Sequence, residues 1–160
     1  MKKTIHISTG EVKMGTAGDL LVSNGIGSCI VIVGINLIKG IGAVAHFMLP
    51  GKAPVTGEQN KTKYAKDAVD ALLNILQADI DGFSPIRICL VGAGNVLKKQ
   101  DDTICESNIN SIVSIFRDLA IKIDVCTLGG TNRRSVQFDV ENREVYISEG
   151  DSELKLFNYW

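Results

Sequence analysis

The chain contains 160 residues, of which 45% are hydrophobic, as expected for one domain built around a single core. Seventeen basic and eighteen acidic residues give a formal net charge of -1, so the chain lacks the basic character of a nucleic-acid-binding protein. No apolar run reaches the roughly 18 residues of a membrane span, and the N-terminal residues lack the apolar stretch of a signal peptide. We therefore expect residues 1–160 to form a single cytoplasmic domain that is neither inserted in a membrane nor bound to nucleic acid.

The cysteines and histidines are few and widely separated. Zinc sites and disulfide-rich domains need closely spaced sets of these residues, and no C-x-x-C pair occurs here. We therefore expect no metal ion, no cofactor and no disulfide scaffold, with most cysteines reduced and buried as small hydrophobic residues. The cysteines are Cys29, Cys89, Cys105 and Cys126, and the histidines are His6 and His46.

Hydrophobic periodicity predicts four strands before the first helix, at residues 4–8, 19–24, 29–35 and 41–49. The third of these is a nearly continuous apolar run rich in β-branched residues, which is typical of a strand buried on both faces. Pro50-Gly51 ends the fourth strand, and the polar residues 51–61 are predicted to form an exposed loop.

Two helices are predicted, because apolar residues recur at spacings of three and four. The first begins near Thr62 and ends at Asp81-Gly82, and the second covers residues 106–119. The remaining segments are strands at 86–91 and 121–127, a hairpin of 135–140 with 144–147, and a tail at 154–160 that forms either an edge strand or a flap. About eight strands and two helices predict an α+β fold, a layered sandwich of one mixed sheet or two sheets with both helices on one side.

A glycine-rich turn follows the strand at 86–91. Gly92-Ala93-Gly94-Asn95 is similar to the start of a dinucleotide-binding fingerprint, but Leu97 stands where that fingerprint has its third glycine. No helical pattern opens directly after it. We therefore interpret this segment as a tight strand exit rather than a nucleotide site.

Cys29 differs from the other cysteines because it follows a turn of small residues. Asn24-Gly25-Ile26-Gly27-Ser28 precedes it, so the thiol lies at the mouth of a turn, just before a buried strand. The glycines of this turn permit backbone conformations that leave N–H groups free to bind an oxyanion beside a nucleophile, and Gly27 and Ser28 are the candidate residues for this role. The alternative is a cysteine that belongs only to the core.

His46 lies in an otherwise apolar strand, where an imidazole needs a polar partner. It is either a core histidine bonded to a backbone carbonyl or the base that activates a thiol nucleophile. In the second case it would stabilise the thiolate and lower the pKa of the thiol well below its free value of about 8.5. If residues 19–24 and 29–35 pair as a hairpin, Ser23 emerges near Cys29 and can orient the imidazole. Ser23 is otherwise an ordinary serine at a strand end.

Several motifs together resemble the chemoreceptor glutamine deamidases of bacterial and archaeal chemotaxis, the CheD family. They occur in the family's order and spacing over about residues 3 to 147. The pair G-x-G-S-C and A-H-x-M-L-P is the most specific. The matching segments are Gly25–Ile30, Gly42–Pro50, Lys63–Val69, Val91–Gly94, Gly129-Gly130 and Arg134–Val136.

The resemblance implies a Cys-His-Thr hydrolase that converts receptor glutamines to glutamates, with a layered α/β fold shared with deamidating toxins. Cys29 would be the nucleophile and His46 the general base, while Ser23 stands where the family usually has threonine. Methyl-accepting chemotaxis receptors would be the substrates. Because receptor glutamines lie on long helices, a shallow exposed groove is expected, with the loop 51–61 as its candidate rim.

Two segments depart from the family pattern. Residues 92–97 differ from the usual G-G-A, and Cys105-Glu106-Ser107-Asn108 replaces G-x-R-N. Gly92, Asn108 and Arg134 are therefore candidates for a substrate or partner groove. The resemblance also implies a second role, as a regulatory partner of a CheC-like phosphatase, and a redox-sensing thiol at Cys29 is a third hypothesis.

Overall fold

The computed structural model describes residues 2–57, 59–78 and 85–160, which form ten strands, two α-helices and one 3-10 turn. The 3-10 turn covers Lys61–Lys63. The helices are α1, Ala65–Ile75, and α2, Thr103–Asp118. The strands are β1 Lys3–His6, β2 Val12–Gly15, β3 Asp19–Ile26, β4 Ile30–Asn36, β5 Ile41–Phe47, β6 Ile86–Gly92, β7 Val125–Leu128, β8 Arg134–Asp139, β9 Glu144–Glu149 and β10 Lys155–Tyr159.

The strands form two five-stranded sheets. The first sheet has the order β1-β3-β8-β9-β10 and the second has the order β2-β5-β4-β6-β7. Each is mixed, because β1 runs parallel to β3 and β6 runs parallel to β7, whereas the other neighbours are antiparallel. The predicted hairpin is β8–β9, and the tail is an edge strand paired with β9 rather than a flap.

The second sheet is the middle layer of the molecule. Ile30 and Ile32 of β4 pack among the residues of α1 and α2, whereas Val31 and Val33 pack among those of the first sheet. This alternation buries β4 on both faces, as its continuous apolar sequence predicts. The α+β class, the two mixed sheets and the placement of both helices on one side are therefore confirmed.

The helix boundaries differ from those predicted. Thr62, the predicted start of the first helix, lies in the 3-10 turn that precedes α1. Helix α1 ends at Ile75, and Gln77 shortly after it has a left-handed φ of 52°. The predicted stop at Asp81-Gly82 lies outside the described residues. Helix α2 begins earlier than predicted because the Asp102 carboxylate accepts the Cys105 N–H at 3.2 Å and caps it. Neither described helix has the length and apolarity needed to cross a bilayer.

Two strand predictions need correction. Strand β2 was not predicted, because its four residues form a short edge strand without strong alternation. The segment predicted as a strand at 121–127 becomes β7 only from Val125. All four cysteines are free, but only Cys89 and Cys105 are buried, because Cys126 is exposed on the edge strand β7.

The predicted pairing of the two strands around Cys29 is wrong. Strand β3 lies in the first sheet and β4 in the second, so residues 27–29 carry the chain from one sheet to the other. A register irregularity between Ser23 and Ile26, together with a positive φ of 65° at Gly25, bends the end of β3 away from a hairpin path.

Candidate active site

The candidate site lies where two segments cross between the sheets, residues 27–29 and residues 7–11. Ile7 extends β1, because its N–H donates to the Val22 carbonyl at 2.8 Å. Three residues later the chain joins β5: the Gly10 N–H donates to the His46 carbonyl at 2.7 Å, and the His46 N–H donates to the Glu11 carbonyl at 3.0 Å. The crossing at residues 7–11 therefore ends at His46.

The His46 side chain is 2% exposed and lies between two hydroxyl groups. Ser23 Oγ is 2.9 Å from Nδ1, and Thr9 Oγ1 is 3.5 Å from Nε2. Ser23 also donates its hydroxyl hydrogen to the Ile7 carbonyl at 2.7 Å. A hydroxyl has one hydrogen, so Ser23 Oγ accepts the hydrogen bond from Nδ1–H. This fixes the neutral imidazole with its Nε2 lone pair directed towards Thr9.

Burial lowers the pKa of His46 from 6.5 to about 4, and a hydrogen bond with the Ile7 backbone opposes this only in part. A buried imidazole loses more solvation energy when charged than when neutral, so its protonated form is disfavoured. His46 is therefore neutral near pH 7 and can accept a proton at Nε2.

Cys29 is half-buried and directly precedes β4. Burial raises the pKa of this thiol, although its own backbone N–H and the Thr9 hydroxyl act in the opposite direction. The expectation of a resting thiolate held by His46 is therefore wrong. Burial disfavours both charges, and the resting pair consists of a thiol and a neutral imidazole.

Gly92 supports the turn at Cys29 from behind. It has a φ of 131°, and a Cβ atom there would lie 2.3 Å from the Cys29 carbonyl oxygen. The next residue, Ala93, donates its N–H to that oxygen at 2.7 Å. The segment interpreted from sequence as a tight strand exit thus packs directly beneath the candidate nucleophile.

Arg134 and Asn108 brace the same region. The buried Arg134 guanidinium donates to the carbonyls of Gly92 and Gly129 at 2.9 and 2.8 Å, and it pairs with the Glu149 carboxylate at 3.2 Å. The fully buried Asn108 amide donates to the carbonyls of Ser28 and Met48 at 3.0 and 3.2 Å.

These contacts correct the groove assignment made from sequence. Gly92, Asn108 and Arg134 are buried behind the turn that carries Cys29 and do not line the neighbouring cleft. Their contacts are with backbone carbonyls, so they shape the turn rather than an exposed surface.

A cleft of about 270 Å³ adjoins the turn on its outer side. Gly27 and Ser28 form part of its wall, opposite the residues that precede and begin α2. Leu97 is 76% exposed there, and Val96 and Ile104 are also partly exposed, so the entrance is apolar. The described residues of the loop 51–61 do not line this cleft. Its remaining lining residues are Gly94, Asn95, Lys99, Asp102 and Cys105.

The backbone N–H groups of Ser28 and Cys29 donate to no oxygen atom in the described part of the chain. The described residues also contain no cluster of three or more His, Cys, Asp or Glu side chains arranged to hold a metal ion. The side chains that this region brings together around His46 are Ser23 and Thr9, and Cys29 lies on the neighbouring turn.

Thr9 is the member of this group that the sequence did not suggest. It lies outside the glycine-rich turn and outside the apolar strand of His46, and it reaches His46 through the crossing at residues 7–11. His6, in contrast, is exposed on β1.

A thiol and a buried imidazole are the groups that a cysteine hydrolase uses. Comparison with known proteins shows the family of this chain. The family model described as CheD chemotactic sensory transduction matches residues 48–149, so the chain belongs to the CheD family. It is 32% identical to the probable chemoreceptor glutamine deamidase CheD of Chlorobium luteolum, over 99% of this chain and 80% of that protein.

Two further relatives cover nearly the whole chain. The chemoreceptor glutamine deamidase CheD of Thermotoga maritima is 26% identical over 98% of both chains. The corresponding protein of Halalkalibacterium halodurans is 25% identical over 96% of this chain and all of its own.

Proposed function

We propose that this protein is a chemoreceptor glutamine deamidase, which hydrolyses side-chain amides of receptor glutamines to glutamates and releases ammonia. Family membership and the names of the relatives support the reaction and its substrate class. The observation that carries the assignment to this site is the Ser23–His46 hydrogen bond. It leaves the basic Nε2 on the side of the ring that faces Thr9.

In the first half of the reaction, the sulfur of Cys29 attacks the glutamine Cδ while its thiol proton is transferred to His46. Because the resting pair is neutral, this proton transfer accompanies the attack rather than preceding it. The backbone N–H groups of Ser28 and Cys29 stabilise the oxyanion that forms. The C–N bond then breaks, and protonated His46 gives its proton to the departing nitrogen, which leaves as ammonia.

In the second half, the Cys29 thioester is hydrolysed. Neutral His46 takes a proton from a water molecule as the water oxygen attacks the thioester carbon. The C–S bond breaks, the sulfur recovers a proton from His46, and the glutamine side chain has become glutamate. These steps use only groups of this chain, the substrate and water.

Ser23 acts as a positioning residue in both halves. Its oxygen accepts Nδ1–H and would stabilise the positive charge that the ring carries transiently. A serine in the place of the usual threonine keeps this oxygen, while its additional bond to the Ile7 carbonyl fixes the direction of the hydroxyl.

The cleft beside the turn is the proposed contact surface for the receptor helix. Leu97 and its apolar neighbours form an exposed entrance next to Ser28, where residues flanking a target glutamine would pack. We also expect the protein to act in the cytoplasm, because the receptor segments that it would modify lie there. Association with a CheC-like phosphatase stays a prediction of the family resemblance.

The test is an assay of glutamine-to-glutamate conversion in a chemoreceptor cytoplasmic fragment, followed by peptide mass spectrometry. We expect conversion by the wild-type protein and a large loss in Leu97→Asp, because a charge would be placed against the apolar contact. Ile38→Asp is the matched control, since Ile38 is 81% exposed and lies outside the cleft. Absence of conversion by the wild-type protein on a panel of such fragments would contradict the proposed function.

A further inference from the structure

We propose that Asn108 is a positioning residue for the deamidation, whose buried amide clamps the turn that carries Cys29 to the end of the strand that carries His46. This inference rests on the proposed function, in which Cys29 is the nucleophile and His46 the base. It concerns what holds the two residues in a fixed relative position. Asn108 acts through backbone carbonyl groups rather than on the substrate.

The clamp lies where β4 and β5 part. The last paired residues of the two strands are Ile30 and Phe47. Beyond this pair, the N–H groups of Met48 and Leu49 donate to the Lys63 carbonyl at 2.8 and 2.9 Å, so the chain after β5 turns towards the 3-10 turn. The chain before β4 passes instead to the first sheet. Strand pairing therefore holds the two segments together only as far as this last pair.

The Asn108 amide bridges the two segments beyond that point. Its Nδ2 atom donates to the Ser28 carbonyl at 3.0 Å and to the Met48 carbonyl at 3.2 Å. Ser28 directly precedes Cys29. Met48 lies two residues after His46. One nitrogen atom of α2 therefore ties the backbone beside the nucleophile to the backbone beside the base.

The oxygen of the same amide is left unpaired. The Asn108 side chain is fully buried, yet its Oδ1 atom has no hydrogen-bond partner among the described residues. A buried acceptor without a partner destabilises a protein, so the asparagine carries a cost to the fold at this position. Exchange of Oδ1 and Nδ2 would set an oxygen atom against two carbonyls, so the orientation of the amide is fixed. The two donor hydrogens are therefore the property of asparagine that this position uses.

The bond to Ser28 also sets the direction of the Cys29 N–H. The peptide bond between these residues is trans, so its C=O and N–H point in opposite directions. Because Asn108 holds the carbonyl, the N–H is directed away from the Asn108 amide. The preceding peptide is held in the same way, since the Gly27 carbonyl accepts the Gly94 N–H at 2.8 Å. The clamp thus keeps an N–H group that is proposed to bind the oxyanion in one orientation.

The experiment compares two substitutions that remove the amide with opposite effects on packing. Asn108→Leu keeps the branched shape of the side chain, whereas Asn108→Ala leaves a cavity. Asn36→Leu and Asn36→Ala are the matched controls. Asn36 is also a buried asparagine and donates to the Leu76 carbonyl at 2.8 Å, but it lies at the other end of β4. Urea denaturation verifies the fold of each variant.

The first readout is kcat and KM for receptor deamidation. We expect both Asn108 variants to lose at least about tenfold in kcat with little change in KM, because a small misplacement of reacting groups slows the chemical step while the receptor surface is unchanged. The Asn36 variants should lose stability but keep the wild-type kcat. Wild-type kcat in both Asn108 variants would overturn the clamp, and so would an equal loss of kcat in the Asn36 variants.

The second readout is the rate of Cys29 alkylation by iodoacetamide near neutral pH, located by peptide mass mapping. In the wild-type background, His46→Gln should slow this reaction at least about tenfold, because the base is removed. In the Asn108→Ala background, the same substitution should slow it less than about twofold, because the base is no longer aligned with the thiol. Equal effects of His46→Gln in the two backgrounds would overturn the proposal.

The alkylation readout needs no receptor, so it separates this proposal from the proposed function. If the wild-type protein deamidates no receptor but the effect of His46→Gln on alkylation depends on Asn108, the function fails and the clamp stands. If receptor deamidation requires Cys29 but is unaffected in both Asn108 variants, the clamp alone fails.

Discussion

At the scale of single residues, the chemistry depends on which nitrogen of His46 carries the proton. Ser23 settles this because its only hydrogen is given to the Ile7 carbonyl, which leaves its oxygen to accept from Nδ1. Burial then keeps the ring neutral, with a pKa of about 4. The proposed base is thus oriented by one hydrogen bond and kept neutral by burial.

Ser23→Ala should lower kcat for receptor deamidation by on the order of tenfold to a hundredfold, because the ring loses its orienting acceptor while the base itself remains. Ser23→Thr keeps the hydroxyl and should retain wild-type activity within a few-fold. The measurement is kcat by peptide mass spectrometry, with thermal unfolding to verify the fold. Full activity in Ser23→Ala would contradict the role assigned to this hydroxyl.

At the scale of elements, the site depends on the close approach of the end of β6 to the start of β4. The Gly92 Cα faces the Cys29 carbonyl so closely that no side chain fits between them. Arg134 and Asn108 hold the surrounding carbonyls in place. The turn that presents Cys29 is thus built from three separate parts of the chain.

Gly92→Ala should destabilise the protein by about 3 kcal/mol and reduce deamidation, because backbone strain at positive φ is added to a clash with the Cys29 backbone. Gly129→Ala is the matched control. Gly129 also has a positive φ, of 87°, but a Cβ atom there would meet nothing within 4 Å. Gly129→Ala should therefore lose only about 1 kcal/mol of stability, which comes from backbone strain alone. Urea denaturation measures both values, and equal losses in the two variants would contradict the proposed clash.

At the scale of the whole molecule, the layered architecture could be predicted from the sequence, whereas the joining of the sheets could not. The continuous apolar run of β4 identified the middle layer, and the spacing of apolar residues identified both helices. The closeness of Ser23 to the site was expected, but from a β3–β4 hairpin that does not exist. The contact between Ser23 and His46 arises instead because residues 7–11 cross from the first sheet to β5. Ile7 accepts a hydrogen bond from Ser23, and Gly10 and Glu11 bond to the His46 backbone.

Thr9 shows why the rest of the site could not be predicted. Its contact with His46 depends on how residues 7–11 pass from one sheet to the other, and no local pattern encodes that path. The same holds for Asn108, whose bonds to Ser28 and Met48 span 80 and 60 positions in sequence. The candidate nucleophile and base were visible as isolated residues, but their neighbours required the tertiary structure.

The stability of the whole domain should depend on pH through His46. Its pKa is 6.5 in an unfolded chain and about 4 in the folded one, so between these values the unfolded state binds a proton that the folded state excludes. The contribution of His46 to the free energy of unfolding is complete above pH 6.5. It is lost as the pH falls towards 4, and the total loss is about 3 kcal/mol. Urea denaturation between pH 7.5 and 4.5 measures it.

His46→Gln should flatten this dependence, whatever its effect on stability at pH 7.5. His6→Gln is the control, because His6 is exposed and its replacement should leave the pH dependence as it is in the wild type. A steep loss of stability between pH 6.5 and 4.5 that persists in His46→Gln would show that another group is responsible.

Comparison of two cysteine variants in one receptor deamidation assay tests most directly whether Cys29 is the nucleophile. Cys29→Ala should abolish glutamine-to-glutamate conversion in the receptor fragment, whereas Cys126→Ala, which removes the exposed thiol of β7, should convert it at the wild-type rate. Both variants should unfold at similar denaturant concentrations. Continued deamidation by a folded Cys29→Ala protein would contradict the mechanism and the assignment of this site.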